Sequence, residues 1–332
     1  MPKIIKIILL IIFFLFLGAF CFLFIGNTKP AENINWGVVF SQKHSEAMGL
    51  DWKENYIAIL DDLGTKHLKL IAYWDIIEPN KGEFYFSDLD FQIQEAGERN
   101  AEIMLVVGRK VPRWPECHIP EWAKSLESEQ LDKAVLDYLE VIVSRYKDSP
   151  AISMWQVENE PFFLFGDNCP LISGETLKKE IDLVKSLDDR RRPVLVSESG
   201  EFPTWFKAAK YADIVGHTLY RVVWSKEFNS YFKPPFPAVF YHRKAWLIDK
   251  FFNKKVICVE LQAEPWSQVL LYDSTLEEQR KTMDLEKFKD VIEYAKNTGE
   301  DTSYFWGVEW WYWMKVEHND SGIWDEAKSL WK

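Results

Sequence analysis

No run of Lys and Arg long enough to line a basic groove occurs in this 332-residue chain, and its net charge of -11 would repel a phosphate backbone. Nucleic acid is therefore not expected as a partner. No glycine-rich phosphate loop follows any strand candidate, which argues against an open, doubly wound nucleotide-binding sheet. The six histidines, His44, His67, His118, His217, His242 and His318, show no paired ligand spacing, so no metal and no other cofactor is expected. No Gly-x-Ser-x-Gly elbow suggests an esterase. After Trp36 there is no internal repeat, no low-complexity tract and no second composition regime, so one domain is the economical reading. Nothing in it implies an obligate protein partner.

Cysteine is also scarce, at four residues. Cys21 lies in an apolar N-terminal stretch, and Cys258 sits inside an apolar run as a small buried hydrophobe. Cys117 and Cys169 fall in the loops after the third and fourth strand candidates. Outside the cytoplasm they either pair or stay as thiols, because sequence does not fix their distance.

What the chain has in quantity is apolar surface. Hydrophobic residues make up 47% and aromatic residues 16%, with 16 Trp, enough for a large core with aromatics to spare. Disorder is excluded. Residues 1–6 carry Lys3 and Lys6 and read as a cytoplasmic N-terminus. Residues 7–25 are unbroken apolar sequence, long enough at about 1.5 Å per residue to cross a bilayer. A cleaved signal peptide is the rival reading. Its apolar region is usually shorter, about 7 to 15 residues, and Gly18-Ala19-Phe20-Cys21 puts a bulky Phe20 next to the cut. The preferred reading is an uncleaved anchor that binds the membrane, with residues 26–35 as a polar tether. The domain of residues 36–332 is then extracytoplasmic, at the cell surface or in the periplasm, and is secreted if the segment is cleaved.

From Trp36 onward short β-branched or aromatic runs alternate with helical patterns. The strand candidates are Trp36–Phe40, His67–Ala72, Glu102–Val107, Ile152–Val157, Pro193–Ser197, Asp213–Gly216, Lys255–Val259 and Ser303–Gly307. Leu131, Val135, Tyr138, Ile142 and Tyr146 recur at helical spacing, as do Leu285, Phe288, Ile292 and Ala295. Ser274-Thr275-Leu276-Glu277-Glu278 offers a capping box before the second of these helices. Eight strands alternating with helices predict an α/β fold, a (β/α)8 TIM barrel preceded by one transmembrane helix.

Two glutamates stand where apolar runs end. Glu160 closes Trp155-Gln156-Val157-Glu158-Asn159-Glu160-Pro161, and Glu260 follows Val256-Ile257-Cys258-Val259. In a parallel barrel both project from the rim that carries chemistry. A facing pair of carboxyls is the machinery of glycoside hydrolysis, in which one must hold a proton and the other must be ionised. Asn159 is suited to donate to a sugar hydroxyl beside the reacting carbon.

Asn159-Glu160-Pro161 after strand four, with Glu260 after strand seven, resembles the retaining glycoside hydrolases of clan A. The segment from Trp74 to Asp90 resembles the one after strand two in families 5, 39 and 42. The resemblance spans about Trp36 to Trp324. It implies an O-glycosyl hydrolase acting on a carbohydrate, with a β-linkage favoured, in which Glu160 is acid/base and Glu260 nucleophile. It further implies that His217 or Tyr220 bonds the nucleophile, packing in the barrel mouth being the alternative for the tyrosine. Trp306 or Trp310 would floor the sugar subsite. Trp74 and Trp266 are further candidates for sugar contact. Lys69 stands where many clan members carry arginine, and it keeps the charge without the fork. Arg109 and Lys110 would compensate if they face the cleft, a solvated pair being the alternative. Glu158 is a supporting group if it faces inward, while Glu198 and Glu264 are surface carboxylates by default. The loop from Val222 to Ala238 is the expected cleft wall. A catalytically silent, membrane-anchored carbohydrate-binding barrel is the alternative function, with Lys69 as its support.

Overall fold

All eight β-rich runs form strands, and they close into one ring. The computed structural model describes residues 3–225 and 228–331. The barrel strands are β1 Asn35–Val39, β2 His67–Ile71, β3 Glu102–Val107, β4 Ile152–Val157, β5 Val194–Glu198, β6 Ile214–Leu219, β7 Lys255–Gln262 and β8 Thr302–Trp306. Each pairs in parallel with its sequence neighbours, and β8 returns to β1 to close the ring. Closure leaves no barrel edge exposed.

Alternation along each strand sorts the side chains into two cores. Val39, Ile71, Met104, Val106, Leu195, Ile257, Val259 and Tyr304 fill the barrel interior. Their neighbours Val38, Leu68, Leu70, Leu105, Val107 and Val196 face the helices. The helix Ser128–Tyr146 meets that outer face with Val135, Tyr138, Ile142 and Tyr146. Each such side chain, fully buried, contributes about 1.5–3 kcal/mol of transfer free energy.

Two strands outrun their expected ends by three residues. β6 continues past Gly216 to Leu219, and β7 past Val259 to Gln262. The polar residues that end each apolar run stay in the hydrogen-bond ladder, so hydrophobicity alone stops too soon. The capping expectation is corrected too. Thr275 caps a short helix, Leu276–Thr282, while Asp284 accepts from the Lys287 N–H and starts Leu285–Thr298. The expected cleft-wall loop holds a small hairpin, Val223–Ser225 with Ser230–Phe232.

The N-terminal helix, Lys3–Phe24, is 22 residues long with an 18-residue window of mean hydropathy 3.2 and none of that window buried. It is long and apolar enough to cross a membrane, a property that signal sequences share. Its last turn meets the domain, Phe22 against Trp246 and Phe24 against Phe240. The segment that follows is docked rather than loose. Thr28 bonds the Asn297 carbonyl, and the N–H groups of Ala31 and Asn35 donate to Lys296 O and Asp301 O at 2.9 and 2.8 Å.

Cys117 and Cys169 are joined in a disulfide, which ties the loop after β3 to the loop after β4. The two cysteines are separated by 52 residues, a span whose closure is worth about 4 kcal/mol in the chain-entropy relation. Replacing both by Ser is expected to lower the melting temperature in scanning calorimetry. An unchanged melting temperature would mean that packing alone holds these loops.

Candidate active site

β4 stops at Val157, and the chain then leaves the sheet by a strained route. Glu158 and Glu160 both take left-handed backbone, at φ 60° and 44°. Residues without glycine's freedom adopt such angles at a cost that the surroundings must hold, and they gather at functional sites. The surroundings here are specific. The Glu160 N–H donates to Ser197 Oγ at 3.0 Å, and the Lys110 ammonium donates to the Glu160 carbonyl at 3.0 Å. Asn159 Oδ1 accepts from Gln156 Nε2 and Ser197 Oγ, each at 3.0 Å, which fixes the amide and turns its Nδ2 outward.

The Glu160 carboxyl accepts a hydrogen bond from Thr218 Oγ1 at 3.0 Å. Burial and then the nearby Glu260 charge push its pKa up to about 8, against the smaller pull of Lys110 and Thr218. At neutral pH it holds its proton.

Glu260 reaches the mouth through a bulge. Between Cys258 and Leu261, β7 carries one residue more than β6 and β8, so Val259 and Glu260 both face inward. The extra residue resets the alternation that would have turned Glu260 toward the helices. Inside, Oε1 accepts from the Lys69 ammonium at 2.9 Å and Oε2 from the Tyr220 hydroxyl at 3.0 Å. Lys69 shares the inward face of β2 with Ile71 and is fully buried. The lysine expected to keep the charge without the fork supplies the cation beside Glu260.

The loop after β3 lies across the barrel mouth. Gly108 opens it at φ 130°, where an added Cβ would fall 2.5 Å from the Glu158 carboxyl. That carboxyl accepts from the Arg109 and Lys110 N–H groups at 2.9 and 2.7 Å, so Glu158 serves as a support for this loop. Burial, partly offset by Arg109 and those hydrogen bonds, raises its pKa to about 7. Farther along, Arg113 bonds Glu264 and, at 2.8 Å, Glu309, with its guanidinium 3.9 Å from the Trp306 ring centroid. His44, Glu264 and Glu309 bring donor atoms within 4.8 Å of one another, and Arg113 already provides the cation there.

Several expected site residues lie elsewhere. Trp74 is buried in the outer core, stacked on Tyr138 with its Nε1–H on Glu78 at 2.8 Å. Arg109 turns to Asp132 on the helix Ser128–Tyr146, while its neighbour Lys110 turns into the mouth, as alternation demands. His217 faces the helices, bonded to Glu300 at 2.8 Å and stacked on Trp205, so of the two strand-six candidates Tyr220 meets Glu260. Trp310, 2% exposed, belongs to the helix layer and donates to Gln279 at 2.8 Å. Trp306 is at the mouth, but Arg113 covers one face of its ring. Trp266 is half-buried, edge-on to Tyr220 with centroids 5.0 Å apart. Glu198 and Glu264 are buried rather than on the surface, at 2% and 7% exposure.

Sequence reasoning missed Ser197 and Thr218, which the inward alternation of β5 and β6 would have indicated. It also missed Glu116. This residue sits beside Cys117 with its carboxyl 3.4 Å from Asn159 Nδ2, and Glu260 and Glu160 are its strongest like-charged neighbours.

Residues 99–265, which include both glutamates, match the family model described as glycosyl hydrolases family 2, TIM barrel domain. The chain belongs to this family. Families 5 and 2 share clan A, so the resemblance in sequence held at the level of the clan. Two curated relatives carry β-galactosidase names. One is β-galactosidase Bga of Halorubrum lacusprofundi, 23% identical over 60% of this chain and 28% of its own length. The other is β-galactosidase LacZ of Lactobacillus acidophilus, 25% identical over 30% of this chain and 17% of its own. This family 2 barrel thus spans less than a third of either relative. Among solved structures, the Halorubrum β-galactosidase has a TM-score of 0.56 at 15% identity, covering 82% of this chain and 52% of that one. Xylanase 10B from Thermotoga petrophila reaches 0.55 at 17% identity, covering 85% and 86%. At these identities the structures agree in fold.

The carboxyls set a pH dependence for the stability of this family 2 barrel. Glu158 and Glu198, raised to about 7, and Glu160, raised to about 8, hold protons that the unfolded chain releases near pH 4.3. Their contribution is full below about pH 4.3 and is lost as pH rises to about 8. Glu264 acts in the opposite sense. Burial would raise it, but Arg113 and then His44 outweigh that and hold it at about 2, so its contribution is lost as pH falls from about 4.3 to 2. Urea denaturation should therefore show greatest stability in mild acid. Stability rising steadily from pH 5 to 8 would contradict this placement of the carboxyls.

Proposed function

We propose that the barrel is a retaining O-glycosyl hydrolase, with Glu260 as nucleophile and Glu160 as acid/base. The observation that carries the reading is the split between two carboxyls at one mouth. Glu260 has a buried ammonium and a phenol on its two oxygens, while burial keeps the proton on Glu160.

In the first step the Glu260 carboxylate attacks the anomeric carbon as the bond to the leaving oxygen breaks and Glu160 gives that oxygen its proton. Water then attacks the same carbon, Glu160 takes the water's proton, and the ester to Glu260 breaks. Two inversions give net retention. Lys69 and Tyr220 hold the nucleophile in place, and Asn159, fixed by Gln156 and Ser197, addresses a hydroxyl next to the reacting carbon. Trp266, half-buried at the mouth, offers aromatic surface to a sugar ring. The curated relatives' names favour a β-linked substrate such as a β-galactoside.

The same reading puts the enzyme on a membrane. Lys3 and Lys6 before the apolar helix favour a cytoplasmic N-terminus, which leaves the barrel outside, where a Cys117–Cys169 disulfide persists. The mass of the mature chain tests whether the helix is retained.

Glu260→Gln is expected to abolish turnover of aryl β-glycosides while leaving the fold intact. Glu160→Gln should lower kcat/KM by about 10²–10⁴-fold. In the unmutated enzyme kcat/KM should fall above about pH 8 as Glu160 loses its proton, and this limb should vanish in Glu160→Gln. Unimpaired hydrolysis by Glu260→Gln would remove the mechanism. Sugar binding without turnover in the unmutated protein would favour a silent carbohydrate-binding barrel.

A further inference from the structure

Glu116 is a carboxyl at the mouth that the double displacement does not use, and its backbone is held in place like that of Glu160. It takes left-handed φ at 73° in a tight loop. Its N–H donates to Arg113 O at 2.7 Å, its carbonyl accepts from Val111 N–H at 2.9 Å, and the Cys117–Cys169 disulfide follows directly. The residue is 6% exposed. Its Oε2 lies 3.4 Å from Asn159 Nδ2, a long contact. Lys110, the nearby cation, spends its ammonium on the carbonyls of Glu160 and Phe163 at 3.0 and 2.6 Å. Tyr220, Glu160 and Glu260 all lie within electrostatic reach, so this carboxyl faces the same mouth as the pair.

We propose that Glu116 is a specificity-determining residue that, together with Asn159, binds the hydroxyl on the sugar carbon next to the anomeric carbon. The proposal rests on the glycosidase reading and narrows its substrate class to sugars bearing a free hydroxyl at that position. Asn159 immediately precedes Glu160, so a sugar with its anomeric carbon between Glu160 and Glu260 turns its second carbon toward the Asn159 amide and the Glu116 carboxyl. Burial, then the charges of Glu260 and Glu160, hold the Glu116 proton well above the usual carboxylate range. A neutral carboxyl offers one O–H donor and a carbonyl acceptor, the set that matches an alcohol. An ionised one would call for an ammonium.

Binding separates this proposal from the mechanism, because it needs no turnover. The probes are non-hydrolysable aryl β-thioglycosides of glucose and galactose with hydroxyl, hydrogen or amino at the second carbon. They are titrated calorimetrically at pH 7 against the full chain in detergent, with folding checked by near-ultraviolet circular dichroism. The unmutated protein is expected to bind the hydroxyl form about tenfold more tightly than the deoxy form. Glu116→Gln, which keeps a donor and an acceptor without charge, should retain that ratio, and Glu116→Ala should lower it several-fold, to the part that Asn159 alone supplies. Glu116→Ser replaces the alanine variant if that fails to fold. No discrimination in the unmutated protein, discrimination undiminished by truncation, a glutamine variant as impaired as alanine, or tightest binding of the amino form would each overturn the proposal. Hydrolysis of the matching O-glycosides, measured in parallel, reports separately on Glu160 and Glu260.

Discussion

The buried pair of Lys69 and Glu260 is the constraint around which the mouth is arranged. Each ion loses several kcal/mol of hydration on burial, and a partner left alone would be strongly destabilising, by about 3–5 kcal/mol. Lys69 can stand inside the barrel only because Glu260 is there, and Glu260 faces inward only because β7 carries an extra residue. The charge of Glu260 then helps keep Glu160 protonated. One bulge thus links strand register to the proposed division of labour between the two carboxyls.

The loop after β3 is the second determinant. Its start is held by Glu158, its middle by Arg113 between Glu264 and Glu309, and its end by the disulfide to the loop after β4. These three attachments reach the residue after β4, the two segments that follow β7 and β8, and Cys169. The loop therefore acts as a brace across the mouth, and Lys110 and Glu116 enter the site from a fixed frame. The left-handed angles at Arg113, Glu116, Glu158 and Glu160 are what such a frame can hold.

The barrel was legible in the sequence because its strands are runs of β-branched and aromatic residues, a signal that survives without tertiary information. Glu160, Glu260 and Tyr220 were legible because they sit where those runs end. Most of the failures are failures of facing. Arg109 and Lys110 are adjacent, and composition cannot say which of them enters the mouth. His217 and Thr218 present the same problem on β6. Trp74 and Trp310 resemble sugar platforms only until packing places them among the helices. Glu116 was invisible for a different reason, since its position depends on a loop fold set by long-range ties to Glu264, Glu309 and Cys169.

The lysine at position 69 follows from the same geometry. A guanidinium binds a carboxylate through two parallel N–H bonds and would claim both oxygens of Glu260. Here Oε1 belongs to Lys69 and Oε2 to Tyr220, which arrives from the end of β6. An ammonium is a compact charge that needs one oxygen and leaves the other free. Tyr220 in turn packs its ring against Trp266, so the second donor on Glu260 and an aromatic wall of the cleft share one anchor. Arginine at position 69 would compete with Tyr220 for Oε2 and disturb both. Lys69 is thus one half of a pair whose other half is Tyr220.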